Sequence, residues 1–187
     1  MRYAIIDSSA YIDHWEGQSV GLEAIRHGFI VRQSSVVLSE LRRGARTATA
    51  RRLVESLRRL APEIWPPTDE DWWRAGELIR LVGDAEEWET AKRREFQNDA
   101  LIALTAHRHG AAVVTSNPKD FRRLAQRVRF KLIDARARGR TKSWSAALPP
   151  PPPPRRQMSI FFATRKNENQ REEHDKPCIN HETLDRY

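Results

Sequence analysis

The feature that most constrains this 187-residue sequence is the rhythm of its short apolar runs. Tyr3 to Ile6 runs into Asp7-Ser8-Ser9, and Phe29-Ile30-Val31 precedes Ser34-Ser35. Ala111 to Thr115 is followed by Ser116-Asn117-Pro118, and Phe130 to Ile133 comes last. Apolar runs of this length, bounded by turn-forming residues, read as buried strands. Stretches with helical periodicity separate them, and that alternation predicts an α/β domain on a parallel sheet.

The helices show themselves through caps and faces. Asp7-Ser8-Ser9 offers N-cap side chains to a helix over Ala10 to Trp15, and Leu22 to Ile25 continues as helix before Gly28. Ser34 or Ser35 caps a helix from Val36 to Arg43, stopped near Gly44. Ala48 to Leu60 places Leu53, Leu57 and Leu60 opposite arginines, and the prolines between Ala61 and Pro67 break it. Thr68-Asp69-Glu70-Asp71 resembles a capping box. It opens a helix whose apolar face carries Trp72, Ala75, Leu78, Ile79 and Val82, while Trp73 is left exposed or at a subunit contact. A further helix spans Asn98 to His109, with Asp99 at its opening and Gly110 at its end.

After Asp134 the pattern changes. Residues 135–157 are arginine-rich and include the hexaproline Pro149–Pro154, which reads as an extended linker. Residues 158–187 are polar apart from Ile160-Phe161-Phe162 and predict a disordered tail. The folded unit is therefore expected over 1–134. The net charge of +8 favours anionic partners, nucleic acid first. Its placement tempers that: residues 1–134 hold 22 Lys+Arg against 19 Asp+Glu, and residues 135–187 hold 11 against 6. One cysteine excludes an intramolecular disulfide. The N-terminal apolar run is too short for a signal peptide, and no window is long enough for a membrane span. A cytoplasmic setting is the expectation.

Four carboxylates occupy comparable places in this plan. Asp7 follows the first strand, Glu40 lies in the second turn of the helix after the second, Asp99 stands at a helix start, and Asp120 follows the strand at Ala112–Val114. In an open parallel sheet the ligand site lies beyond the carboxyl ends of the strands, so all four are able to converge on one rim. Magnesium takes oxygen ligands, usually one or two carboxylates with several waters. Such an ion lowers the cost of generating hydroxide and of charge on a transferring phosphate. The hydroxyl of Ser8 or Ser9 and the amide of Asn117 are candidate neutral ligands. Each acid alone also has an ordinary role: Asp7 as an N-cap, Asp99 complementing a helix dipole, Asp120 capping its turn, Glu40 as a solvated helix charge.

The segments IIDSSAYI (5–12), LSELRRGA (38–45) and NDALIALTAHRHGAAVVTSNPKDF (98–121) resemble the three signature blocks of PIN-domain proteins, most closely the VapC toxins of toxin–antitoxin pairs. Asp7, Glu40, Asp99 and Asp120 match the family's four acids in order. The resemblance covers residues 1 to about 134, and the stretch beyond has no counterpart in the pattern. It implies a three-layer α/β/α fold with a short parallel sheet and magnesium- or manganese-dependent endoribonuclease activity. It also implies a homodimer and a small antitoxin that covers the acidic pocket. In the fourth block, Asn117 and Asp120 both remain candidates for the metal-proximal residue.

Cations must hold substrate phosphates near such carboxylates, and Arg42, Arg43 and Arg46, just beyond Glu40, are the candidates for RNA contacts. His174, Cys178 and His181 fall at i, i+4 and i+7 but lack a fourth zinc-type ligand. His107 and His109 point to different helix faces. Two other readings stand beside the toxin nuclease: a PIN-like module that binds RNA or protein without cutting, and a housekeeping RNA-processing or DNA-directed nuclease.

Overall fold

The computed structural model describes residues 2–18 and 21–138. Its elements run β1 (Tyr3–Ile6), α1 (Ser8–Trp15), α2 (Leu22–Gly28), β2 (Ile30–Ser34), α3 (Ser35–Gly44), α4 (Ala48–Arg59), β3 (Ile64–Trp65), α5 (Asp69–Ala85), α6 (Thr90–Arg108), β4 (Ala112–Thr115), α7 (Pro118–Ala125), β5 (Lys131–Asp134) and α8 (Ala135–Arg138). The five strands are all parallel, in the order β3-β2-β1-β4-β5. The expected α/β fold with a short parallel sheet is what the chain adopts.

The order explains where a site forms. From the central β1 the chain first steps one way, to β2 and β3, then returns past β1 to β4 and β5. Right-handed crossovers place the helices of those two halves on opposite faces of the sheet. The direction reverses between β1 and β4, and at that seam the loops after the strands part to leave a crevice. Ile5, Ile6, Val113 and Val114 have no exposed surface at the seam. Each such aliphatic side chain contributes about 1.5–3 kcal/mol by burial.

Local chemistry sets the helix starts. Ser34 caps α3 through its hydroxyl, which accepts from Val36 N–H at 3.2 Å, and Thr47 does the same for α4 from Ala50 N–H. The capping box at Thr68 is complete: Thr68 Oγ1 accepts from Asp71 N–H at 3.2 Å, and Asp71 Oδ2 accepts from Thr68 N–H at 2.9 Å.

Four expectations need correction. Asp99 does not open its helix, because α6 begins nine residues earlier at Thr90 and carries Asp99 in its interior. Trp72 is 51% exposed, since the buried face of α5 runs through Asp71, Ala75, Leu78 and Val82. Leu60 is 76% exposed because α4 buries Ala50 and Val54 instead. Leu22 begins a separate helix, since α1 ends at Trp15 and α2 has its own N-cap at Gly21. The sequence reading also did not anticipate the two-residue edge strand β3 or helix α7. Trp73 is 79% exposed, in line with its place off the apolar face.

The packed core reaches into α8. Ala135 has no exposed surface, its carbonyl accepts from Gly21 N–H at 3.2 Å, and Arg136 pairs with Asp13 on α1 at 2.7 Å. The hexaproline and the His174, Cys178, His181 triplet lie outside the described residues.

Candidate active site

Asp7 is the anchor of the site. It ends β1, its backbone N–H donates to Val114 O at 2.8 Å, and it caps α1. Its side chain is nearly buried and is surrounded by neutral donors. The hydroxyls of Ser9 and Thr115 donate to Oδ2 at 2.6 and 2.9 Å, and Ser9 N–H lies 3.4 Å from the same oxygen. Those two hydroxyls themselves accept backbone N–H groups, Ser9 Oγ from Ser116 at 3.1 Å and Thr115 Oγ1 from Asn117 at 3.0 Å. Each hydroxyl still has its own proton to donate, and Asp7 Oδ2 lies within reach of both; the two hydroxyl oxygens are also 3.0 Å apart, where either can donate to the other.

Glu40 joins the same cluster from α3. The Ser8 hydroxyl donates to Glu40 Oε2 at 2.8 Å and lies 3.5 Å from Asp7 Oδ1, so one serine links the first two signature blocks. On its other side Glu40 Oε1 accepts from the Asn98 amide at 2.8 Å, which ties α3 to α6 beside Asp99. Asp99 and Glu40 are both half-buried.

Asp120, the third residue of α7, has different surroundings. Its Oδ2 accepts from Lys92 at 2.7 Å and its Oδ1 from Arg123 at 3.2 Å. Arg123 continues to Glu86 at 2.6 Å, and that hydrogen bond holds the Glu86 carboxyl below the ordinary carboxylate range. Asn117 is the exposed N-cap of α7 and reaches Asp7 indirectly, through Thr115.

The expected residues therefore fall into two groups. Asp7, Ser9, Glu40 and the backbone of Asn117 share one hydrogen-bonded network, with Asp99 next in sequence to its member Asn98. Asp120 sits in an ion-paired bundle of its own. Arg42, Arg43 and Arg46 are exposed beyond Glu40, and Arg42 pairs with Glu55 on α4 at 2.6 Å. His107 Nδ1 bonds Arg129 O at 2.8 Å, whereas His109 stacks on Trp65, consistent with two unrelated faces. Sequence reasoning missed Thr115, Asn98 and Lys92. The first two lie inside the quoted signature block; Lys92 lies in a charged stretch with no distinguishing pattern.

The two carboxylates together with the hydroxyls of Ser8, Ser9 and Thr115 make an oxygen-rich cluster, the chemistry a hard divalent cation selects. The hydrogen-bond donors at Asp7 are neutral, which leaves room for a cation beside its carboxylate. Among the described residues no three His, Cys, Asp or Glu side chains are gathered closely enough to hold an ion as they stand. The Ser8 hydroxyl lies between Asp7 and Glu40, and the Asn98 amide bonds the other oxygen of Glu40. Among the described residues no helix is long and apolar enough to cross a membrane.

Comparisons with known proteins agree with this architecture. The chain is similar to VapBC2 from Rickettsia felis, solved bound to a DNA fragment from their promoter, at 21% identity and a TM-score of 0.51, over 70% of this chain and 96% of the other. It is similar to VapBC-1 from nontypeable Haemophilus influenzae at 19% identity and a TM-score of 0.53, over 71% and 97%. FitAcB from Neisseria gonorrhoeae matches at 17% identity and a TM-score of 0.51, over 70% and 96%. Identities this low establish a shared fold. No curated protein matches the chain. The sequence pattern of the PIN domain matches residues 4–127, which include all four acids, and the chain thus belongs to the PIN domain family.

Proposed function

We propose that this protein is a metal-dependent endoribonuclease and the toxin of a VapBC-type toxin–antitoxin pair. The observation that carries the reading is the convergence of Asp7 and Glu40 on the Ser8 hydroxyl, beside Asn98 and Asp99, at the carboxyl rim where the strand order reverses. The structural neighbours are complexes of the VapBC type, which supports a small antitoxin as partner.

In this reading Asp7, Glu40 and Asp99 hold Mg2+ or Mn2+, with Ser9 as a neutral neighbour and either Asn117 or Asp120 completing the shell. An ion held there would lower the cost of activating water and of charge on the phosphate. Asp7 is oriented by the hydroxyls of Ser9 and Thr115. Ser8 fixes the spacing of Asp7 and Glu40, and Asn98 holds Glu40 against α6. Arg42, Arg43 and Arg46 bind RNA backbone phosphates. The protein works in the cytoplasm as a homodimer.

The test is cleavage of mixed total RNA with Mg2+ or Mn2+ and with EDTA, for wild type and Asp7→Asn together. Discrete fragments from wild type alone, and only with metal, are the expected result. A second reading, a PIN module that binds RNA or protein without cutting, draws on the absence of a ready three-residue cation cluster among the described residues. Metal-independent RNA retention by folded wild type, with no fragments, would select it.

A further inference from the structure

Asp7 and Asp120 have opposite surroundings. Among the described residues Asp7 accepts from hydroxyls and a backbone N–H, whereas both oxygens of Asp120 already accept from cations. The Asp120 side chain is only 9% exposed, so water does little to loosen those pairs. A further cation on Asp120 would share an oxygen with Lys92 or Arg123 and lie directly beside that positive charge. Asn117 faces no such conflict. It is exposed, and its N–H is one hydroxyl removed from Asp7.

The two cations are not equivalent. Arg123 spends its guanidinium on Asp120 and Glu86, and its side chain is 22% exposed. Among the described residues Lys92 has one close ion-pair partner, Asp120; Glu95 is 4.0 Å away, too far for a hydrogen bond. Its side chain is 37% exposed, so its remaining N–H donors face solvent. The face of Trp88, 5.4 Å from Nζ, and the Asp120 carboxylate fix it in place. A held ammonium with open donors is suited to a phosphate oxygen, where lysine acts as a point charge.

We propose that Asp120 is a positioning residue that holds Lys92 for an RNA backbone phosphate, and that the fourth protein contribution to the ion's shell comes from Asn117. This rests on the nuclease reading for its metal half only. It separates the two candidates of the fourth signature block: one serves the ion, the other the substrate.

Two titrations of the full-length protein test it. The first measures Mn2+ binding directly. Asp120→Asn should keep wild-type affinity within about twofold, while Asp7→Asn and Asn117→Ala should each lose about tenfold or more. The second measures binding of an unstructured oligoribonucleotide in EDTA. Lys92→Ala should weaken it several-fold and reduce the salt slope by about 0.7, and Lys92→Arg should restore most of the loss. Asp120→Asn should reproduce Lys92→Ala, and the double variant should be no weaker than either single one. Asp120→Glu serves if Asp120→Asn does not fold, and should then retain both Mn2+ and RNA binding.

Loss of Mn2+ affinity in folded Asp120→Asn overturns the proposal, as does RNA binding indifferent to Lys92→Ala or additive in the double variant. Wild type that binds no Mn2+ would overturn the nuclease reading and the metal half with it. The RNA titration would still decide whether Asp120 works through Lys92.

Discussion

The hydroxyl of Thr115 donates to Asp7 Oδ2 at 2.9 Å, linking the ends of two adjacent strands whose residues are 108 positions apart in sequence. With Ser9 it makes Asp7 the common acceptor of a set of donors that have no other anion to serve.

Removing that acceptor has a predictable cost. Asp7→Ala takes away the carboxylate that both hydroxyls share, leaving them to pair with each other, and should destabilise the fold by about 1–3 kcal/mol. Asp7→Asn keeps an oxygen in the Oδ2 position and should cost much less, while abolishing metal-dependent cleavage. Urea unfolding of the two variants checks the difference. Equal stability would mean that the hydroxyls do not depend on Asp7.

The start of α5 offers a second test. Asp71 accepts from Thr68 N–H and from Arg108 Nε at 3.1 Å, and is only 4% exposed. Thr68→Ala should cost about 1 kcal/mol as a lost cap. Asp71→Ala loses the cap partner and a charge-assisted bond together and should cost about 2–3 kcal/mol. Both are read from urea midpoints at constant m-value.

The same helix shows what was legible in the sequence and what was not. Thr68-x-x-Asp71 announced the cap, because the spacing alone dictates the reciprocal bonds. It did not reveal that Asp71 turns inward to meet Arg108 from α6, and that long-range pair moves the buried face one position away from Trp72. Strand β1 and Asp7 could be read directly, since four apolar residues stop at a charge. Strand β3 could not, because Ile64–Trp65 lies between prolines and becomes a strand only by pairing with Gln33 and Ser34. The first turns of α6 were hidden for another reason: Thr90 to Gln97 has almost no apolar period, and Glu89 gives it no side-chain cap. Lys92 was hidden with them, and so was the ion-paired setting of Asp120.

Tryptophans separate structure from surface. Trp65 is 4% exposed and packs edge-on against Tyr3 and flat against His109. Trp65→Ala should cost about 3–5 kcal/mol, whereas Trp73→Ser, on the open face of α5, should change stability by less than about 0.5 kcal/mol. Thermal unfolding of the two variants measures this. A large loss from Trp73→Ser would show that its face is covered in the native assembly.

His109 gives the fold a pH dependence of definite sign. Its ring lies 3.8 Å from that of Trp65 and 4° from parallel. Burial, and then Arg108, hold its pKa below the ordinary imidazole value, with Glu63 and Asp71 opposing. The unfolded chain therefore takes up a proton near pH ~6.5, while the folded protein resists until lower pH. More protons are bound unfolded across that window, so stability must fall as pH drops through it. His14 is lowered in the same sense, by burial and then by Arg26. Urea midpoints between about pH 8 and 5 should decline, and His109→Phe, which keeps the stack, should flatten the decline in part. An unchanged slope in that variant would remove His109 from the account.

The seam between β1 and β4 also carries a consequence for the order of events during synthesis. β1 is synthesised well before β4, the neighbour that completes its pairing and delivers Thr115 to Asp7, which emerges more than a hundred residues later. An emerging chain can bring Ser8 to Glu40 early, but its central strand keeps one edge open until β4 arrives. The acidic site therefore cannot be completed until β4 has been made, and a truncated chain that stops before β4 cannot contain it. Premature termination upstream of Thr115 yields a product without the finished site, whatever else of the fold it manages to form.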